Sequence, residues 1–482
     1  MRCVHKFTEL EADVGVRTEI PENEIRRQRD IMARIAEMNA AGRERLALVD
    51  TFGCQQNEAD SERIRGMLRE MGYGFTEREA EADVIVLNTC AVREHAEKRV
   101  LGNVGALTHT KRAKPDQIIV LCGCMVQQPV MAEKIRRSYR IVDLVFGPQA
   151  LWRFPELLER VLTERTRVFA VEEEDGSIAE GLPAVRQKGV KAWLSAMYGC
   201  NNYCSYCIVP YVRGRERSRR PEVIVEEARA LVASGYRDIT LLGQNVNSYG
   251  KDLSEDVDFP RLLRMVNGIP GEFVLRFMTS HPKDAGEELF RAMAECEKVE
   301  NHLHLPFQSG SDAILKKMNR RYTKADYLAL VELARRYIPD LVVTSDIIVG
   351  FPGETEADFL ETMDVIERVR FDALFTFIYS KRPGTPAAEM DDPDSREVKQ
   401  ARFDRLIARQ NAISGEIHAG YVGKRVRALV DGVSDRESGL LTARTSGGRL
   451  IHLKGGEQRI GEFAPVEITG CNTWALYGEI CE

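Results

Sequence analysis

A chain of 482 residues has room for about three domains. Its 44% hydrophobic and 29% charged content excludes disorder and supports a sizeable buried core. The 68 Lys+Arg against 74 Asp+Glu leave a net charge of −6, so a nucleic-acid partner has to be met by a local basic surface.

The opening residues, MRCVHKFTELEADV, hold no apolar signal stretch, and the longest apolar run, 118–126 (IIVLCGCMV), is too short to span a bilayer. These features predict a soluble, cytoplasmic protein with no membrane partner. Eleven cysteines, an odd count in that compartment, argue against a disulfide framework. They leave metal binding, redox chemistry or plain burial.

In chain order, residues 1–45 predict a polar extension ending in one amphipathic helix, with Ile25, Met32, Ile35 and Met38 at helical spacing. Residues 46–170 then alternate strand and helix. The runs 46–52, 83–89 and 117–122 have the continuous apolar character of buried parallel strands. Ile64, Met67, Leu68 and Met71 mark a helix closed by Gly72 and Gly74. Residues 171–188 are polar, broken by Gly and Pro, and predict a linker. From 189 to 415 six strands are expected, at 192–198, 238–242, 273–279, 301–306, 341–349 and 371–379, with helices between them. That spacing predicts a partial (β/α)6 barrel with its working residues on the loops after the strands. Residues 416–482, with short β runs at 425–430, 440–445, 449–453, 463–469 and 473–477, predict a small all-β barrel. The fold class is α/β, ending in an all-β domain.

The sharpest motif is CNNYCSYC, with Cys200, Cys204 and Cys207 on the loop after the first barrel strand. Three thiolates so close converge on one soft metal centre. Zinc normally takes a fourth ligand, and no Cys or His lies nearby in sequence to provide it. An iron–sulfur cubane held by three thiolates keeps one iron open; a zinc knuckle completed from a distance is the other reading. A second set is dispersed: Cys54, Cys90 and Cys124 each close or follow one of the N-terminal apolar strands. Loops after neighbouring parallel strands emerge on one sheet edge, so the three can meet there, although buried cysteine is common in any core. Cys122, inside the apolar run, is read as core, and Cys3, Cys296, Cys471 and Cys481 as structural or incidental.

The Cys-x-x-x-Cys-x-x-Cys spacing, with Tyr206 before the last cysteine, resembles the signature of radical S-adenosylmethionine (SAM) enzymes. FGCQQNEADSE (52–62), NTCAVREHAEKR (88–99) and GCMVQQ (123–128), together with CNNYCSYCIVPYVRGRERSR (200–219), resemble the radical SAM methylthiotransferase family. Within it they look most like the tRNA-2-methylthio-N(6)-dimethylallyladenosine synthases; Gln56 departs from the usual Met. The last segment resembles a TRAM domain. The resemblance implies two [4Fe–4S] clusters, one on Cys200, Cys204 and Cys207 and a second on Cys54, Cys90 and Cys124. It also implies two SAM molecules with different fates and methylthio addition to carbon 2 of N(6)-dimethylallyladenosine beside the tRNA anticodon. The implied partners are the anticodon stem-loop of tRNA and an electron donor such as flavodoxin or ferredoxin, with the enzyme a monomer.

Around these motifs, Tyr206, Gln244, Asn245, Gln308, Ser309 and Asp346 are expected to contact SAM or substrate. Ser280, His281 and Glu354 lie nearby. His281, His302 and His304 are expected to hydrogen-bond rather than ligate metal. The run Arg213, Arg215, Arg217, Arg219 and Arg220 is expected to meet RNA phosphates, and so is the basic stretch 423–460. Two alternatives stand beside this reading. One is the same chemistry on a ribosomal-protein aspartate or on threonylcarbamoyladenosine; the other is a non-catalytic, metal-dependent RNA-binding protein.

Overall fold

The computed structural model describes residues 19–91, 94–171, 176–186 and 189–481. Cys3 and the first part of the expected extension lie outside them, as does part of the expected linker. Strands β1 (Arg45–Phe52), β2 (Tyr73–Phe75), β3 (Val84–Thr89), β4 (Ile118–Gly123), β5 (Leu144–Phe146) and β6 (Val168–Ala170) form one parallel sheet, ordered β2-β1-β3-β4-β5-β6. Every residue of β3 and β4 is buried, which is why both strands read as unbroken apolar runs. Helices cover both faces. Val84, Val86, Val120 and Phe146 pack on one side against the helices Glu22–Ala40, Gln55–Glu70 and Phe154–Glu164. Ile85, Leu87, Ile119 and Val145 face the helices Glu94–Ala113 and Pro129–Ser138. The first helix therefore belongs to this domain's core: Ile31, Met32 and Ile35 are buried, whereas Met38, expected on the same stripe, is exposed.

The chain then enters a second set of parallel strands. β7 (Lys191–Ser195) is followed by the short antiparallel pair β8 (Met197–Tyr198) and β9 (Arg217–Ser218). β10 (Asp238–Leu242) and β11 (Val274–Phe277) join β7 in the order β11-β10-β7. β12 (His302–His304), β13 (Val342–Val349) and β14 (Ala373–Ile378) form the other half. The halves meet where Leu275 accepts from the Glu300 N–H and donates to the Lys298 carbonyl. No pairing joins β7 to β14 among the described residues, so the six-stranded barrel is open on that side. Leu194, Leu241, Leu275, Leu303, Val343 and Ile347 point outward into a core shared with the surrounding helices.

The helix Arg396–Ala419 runs through the expected boundary at 415/416 and delivers the chain to β15 (Arg425–Val433), β16 (Leu441–Thr445), β17 (Leu450–Leu453), β18 (Phe463–Cys471) and β19 (Leu476–Ile480). These close into a five-stranded barrel in the order β15-β16-β17-β19-β18. Its last strand begins three residues later than expected. The small barrel packs on the starting ends of the large barrel's strands. Lys191 pairs with Asp431 at 2.6 Å, the Asn301 N–H donates to the Ser446 carbonyl at 3.0 Å, and Gly447 abuts Val342. No helix among the described residues is long and apolar enough to cross a membrane.

Candidate active site at the domain seam

The sheet order places β1 and β3 side by side, with the chain leaving β1 for β2 on one edge and returning to β3 on the other. That is a topological switch point, where loops from the strand ends part and leave a crevice. Cys54 follows β1, Cys90 follows β3 and Cys124 follows β4, so all three loops open on the same edge. Local chemistry holds them there. Asn57 donates to the Asn88 side chain at 2.9 Å and to the Thr89 carbonyl at 3.2 Å, and accepts from the Cys54 thiol at 3.3 Å. Asn88 returns a bond to the Asn57 carbonyl at 2.9 Å, and the Thr89 hydroxyl donates to the Cys122 carbonyl at 2.6 Å. Gly123 stands at φ +95°, with no room for a side chain beside Asn88 and Thr89.

Cys200, Cys204 and Cys207 lie after β7, at the finishing end of the large barrel. The Gly199 N–H donates to Gln244, Ser205 donates to the Lys317 carbonyl at 2.8 Å, and Asn319 donates to the Tyr203 carbonyl at 2.9 Å. The loops that carry the two cysteine sets meet at the seam between the domains. Ala91 and Cys124 from the sheet pack with Ile208 and Val212, which directly follow Cys207, in one buried cluster. Gln56, next but one to Cys54, donates to the Ser195 hydroxyl at 2.9 Å and so ties the sheet domain to β7.

Two buried arginines attend the thiols. Arg213 donates from Nε to the Cys124 Sγ at 3.1 Å and from Nη2 to Asp60 at 2.8 Å. Arg320 donates to the Cys204 Sγ at 3.5 Å and to the Pro306 carbonyl. Two members of the arginine run, Arg213 and Arg219, thus depart from the expected role. Arg219 is also buried, bonded to Glu180, Glu227 and the Ser195 carbonyl, and Arg220 pairs with Glu19 at 3.3 Å. The buried guanidiniums of Arg213 and Arg219 are unavailable to an RNA phosphate, whereas Arg220 stays half exposed; a run of charge in sequence does not reveal the carboxylates that fold against it. Glu180 and its neighbours also show that the described part of the expected linker is laced into the seam, where Val185 N–H donates to the Glu62 carbonyl at 2.8 Å.

The thiols' electrostatics follow from these contacts. The Cys54 thiol is held down at about 5 by its hydrogen bond with Cys90, helped by Arg213 and the N–H groups of Asn57 and Gln56. Burial pushes Cys124 up to about 11 against the pull of Arg213, Cys207 up to about 12, and Cys200 upward as well. All six are free thiols. Among the described residues no three His, Cys, Asp or Glu side chains stand close enough to share a single metal ion. Two sets of three soft donors, each with a buried cation beside it, fit a thiolate-held iron–sulfur centre, whose net negative charge such a cation balances.

The other expected residues divide. Tyr206 is half-buried and edge-on against Phe351, and Gln244 supports the cysteine loop. Asn245 donates to Asp284 at 2.7 Å and keeps its buried Oδ1 unpartnered, which leaves an acceptor for a bound molecule. Gln308 is held at φ +67° by backbone bonds to Asp346 and Ile348. The Ser309 hydroxyl lies 3.5 Å from Thr362, turned toward the helix Glu356–Val369. Asp346 is not bare in an apolar strand: it faces the barrel interior, 3.6 Å from His304 Nε2. His302 and His304 both bond to the Thr344 hydroxyl, and His281 accepts from the Lys283 N–H, so all three are occupied as hydrogen-bonding groups. Sequence reasoning did not single out Asp60, Asn57 or Arg320. Asp60 lies one helical turn from Gln56, a spacing that places the two on one face; nothing in the sequence flagged Arg320.

An open six-stranded barrel with a three-thiol loop after its first strand defines a radical SAM protein, here fused to a second thiol-bearing sheet domain and a small β-barrel. Residues 194–366 match the Radical SAM superfamily, 47–147 the uncharacterized protein family UPF0004, and 420–481 the TRAM domain. The fold is similar to that of the radical S-adenosylmethionine methyltransferase TsrM from Kitasatospora setae, with TM-score 0.54 and 16% identity over 72% of this chain and 75% of that one. The chain is 51% identical over 462 residues to the tRNA-2-methylthio-N(6)-dimethylallyladenosine synthase of Acetivibrio thermocellus, covering 95% of this chain and 96% of that protein. It is 51% identical over 463 residues to the synthase of the same name from a Thermoanaerobacter species, covering 96% and 98%. The chain belongs to the tRNA-2-methylthio-N(6)-dimethylallyladenosine synthase family.

Proposed function

We propose that this chain is a radical SAM methylthiotransferase that adds a methylthio group to carbon 2 of N(6)-dimethylallyladenosine beside the anticodon of tRNA. The observation that carries the proposal is the meeting of two free-thiol triplets at one seam, in a chain half identical to enzymes of that name. Cys200, Cys204 and Cys207 would hold one [4Fe–4S] cluster, and Cys54, Cys90 and Cys124 the other. The bound clusters supply the electron that cleaves SAM and a place for the sulfur that is inserted; the target C–H bond is one that acid–base groups cannot open.

The chain's own residues do the rest. Arg213 and Arg320 neutralise thiolate charge without admitting water. The Asn57–Asn88 pair fixes the sheet-domain loops. Tyr206, Gln244, Asn245, Gln308, Ser309 and Asp346 line or support the barrel mouth as contacts for SAM or substrate. The working units are a sheet domain that includes the helix Glu22–Ala40, a barrel domain, and a TRAM domain reached through the helix Arg396–Ala419, with residues 176–186 bound into the seam and not free as a linker. The partner is the anticodon stem-loop of tRNA. On the small barrel Arg425, Arg444 and Arg459 are paired with Glu467, Asp431 and Glu462, whereas Lys424, Arg436 and Lys454 carry no acidic partner among the described residues and are free for phosphates. A flavodoxin or ferredoxin supplies the electron to a monomeric, cytoplasmic enzyme.

Anaerobic reconstitution followed by nucleoside mass spectrometry tests this. The wild type is expected to carry about eight irons per chain and to form the methylthiolated base. Cys200→Ala should abolish 5′-deoxyadenosine formation. Cys54→Ala should keep it and lose the product; stoichiometric zinc, or product from either variant, refutes the proposal.

A further inference from the structure

The interior face of the large barrel can be read from register. Leu303, Val343 and Ile347 point outward into the helical core, so their neighbours along β12 and β13 point inward. His304 is paired with Thr344, Asp346 with Phe375, and Ile348 with Phe377, and partners in a parallel ladder share a face. Leu374 packs against the outer core, which again turns Phe375 and Phe377 inward. His304 confirms the side, with its ring 5.7 Å from that of Phe375 in an edge contact.

Both phenylalanines are nonetheless open: Phe375 is 51% and Phe377 47% exposed, on the unpaired edge strand of the open barrel. Edge strands more commonly carry charges at such positions. Phe377 also lies next to the cysteine loop, because its partner Ile348 packs with Tyr206, Phe351 and Tyr379 in one cluster. The lining of this part of the lumen is therefore split. His304, Thr344 and Asp346 offer polar atoms, and Phe375 and Phe377 offer only an apolar surface continuous with the site already described.

From this division, and resting on the function proposed above, we infer that Phe375 and Phe377 form the pocket for the dimethylallyl group and set the preference for the prenylated base. The N(6)–H of the base is a donor that suits the Asp346 carboxylate on the polar side of the lumen. The branched five-carbon substituent has no hydrogen-bonding atom and gains only where water leaves an apolar wall. Phe375 and Phe377 are specificity residues in this scheme, acting on binding and not on the cleavage of SAM.

The test is fluorescence anisotropy on the reconstituted full-length protein with a labelled anticodon stem-loop, prepared with and without the dimethylallyl group. The ratio of the two dissociation constants is the readout. The wild type should favour the prenylated RNA, and Phe375→Ala and Phe377→Ala should each lower that ratio about five- to tenfold. Phe377→Leu should restore most of it by keeping the apolar volume. An unchanged ratio overturns the inference, as does an equal loss for both RNAs, which would place the rings against base or backbone. A shift in oligomeric state of either variant overturns it too, by making β14 an interface with a second copy. A wild type that prefers neither RNA, and makes no methylthiolated product, refutes the underlying function instead.

Discussion

Replacing Arg213 with Gln tests whether the seam rests on a buried charge pair. The side chains of Arg213 and Asp60 are only 5% and 8% exposed and lie 2.8 Å apart, 153 residues apart in sequence. At an effective dielectric of about 20 and a charge separation of ~4 Å, their attraction is about 4 kcal/mol. Removing the cation strands Asp60 in a dry seam, and breaking such a pair from one side costs about 3–5 kcal/mol. Asp60→Asn in the same chain removes the stranded charge. The double variant should therefore be more stable than the sum of the two single losses, by about 2 kcal/mol or more. Urea unfolding of the four proteins, followed by tryptophan fluorescence, measures this; Trp152 lines the same cavity as Asp60 and Arg213 and reports on the seam. Additive losses, or an Arg213→Gln protein within about 0.5 kcal/mol of wild type, would refute the reasoning.

Two further outcomes follow from other features. Gly123→Ala forces a Cβ to within 2.4 Å of the Asn88 side chain and the Thr89 carbonyl, at a left-handed φ. It should cost about 1–3 kcal/mol and release iron from the neighbouring thiols, seen as a lower melting temperature and lower iron content; unchanged values on both would show that the loop yields freely. Burial holds His302 neutral, down to about 3, so as pH falls below about 6.5 only the unfolded chain takes up its proton. Stability is then lost as pH falls, approaching about 1.4 kcal/mol per unit. Glu62 and Glu354, raised to about 7 by burial, act in the opposite sense between 4.5 and 7. The comparison with His302→Gln isolates the histidine: its urea midpoint should fall less steeply from pH 6 to 5, and parallel curves would contradict the assignment.

The strands most legible in the sequence are those buried on both faces. β3 and β4 spell unbroken apolar runs, and the six strands of the large barrel recur at the spacing a strand–helix unit requires. β2, β5 and β6 were not legible, since three residues carry too little pattern to separate a strand from any short apolar stretch. The two cysteine triplets were legible for different reasons: one is local, while the other became visible only through its place after successive strands. Partners were the illegible part. Arg213 read as a phosphate ligand because Asp60 and Cys124, which enclose it, are 153 and 89 residues away in sequence. Gln56 read as a neighbour of one thiol, whereas its amide reaches Ser195 in the other domain.

The small barrel sits on the starting ends of strands whose finishing ends carry the cysteine loop. β13 alone advances eight residues between those ends, about 26 Å at ~3.3 Å per residue. The height of the strands therefore fixes the separation between the small barrel and the cysteine loop. A nucleic acid that touched both at once would have to span that distance.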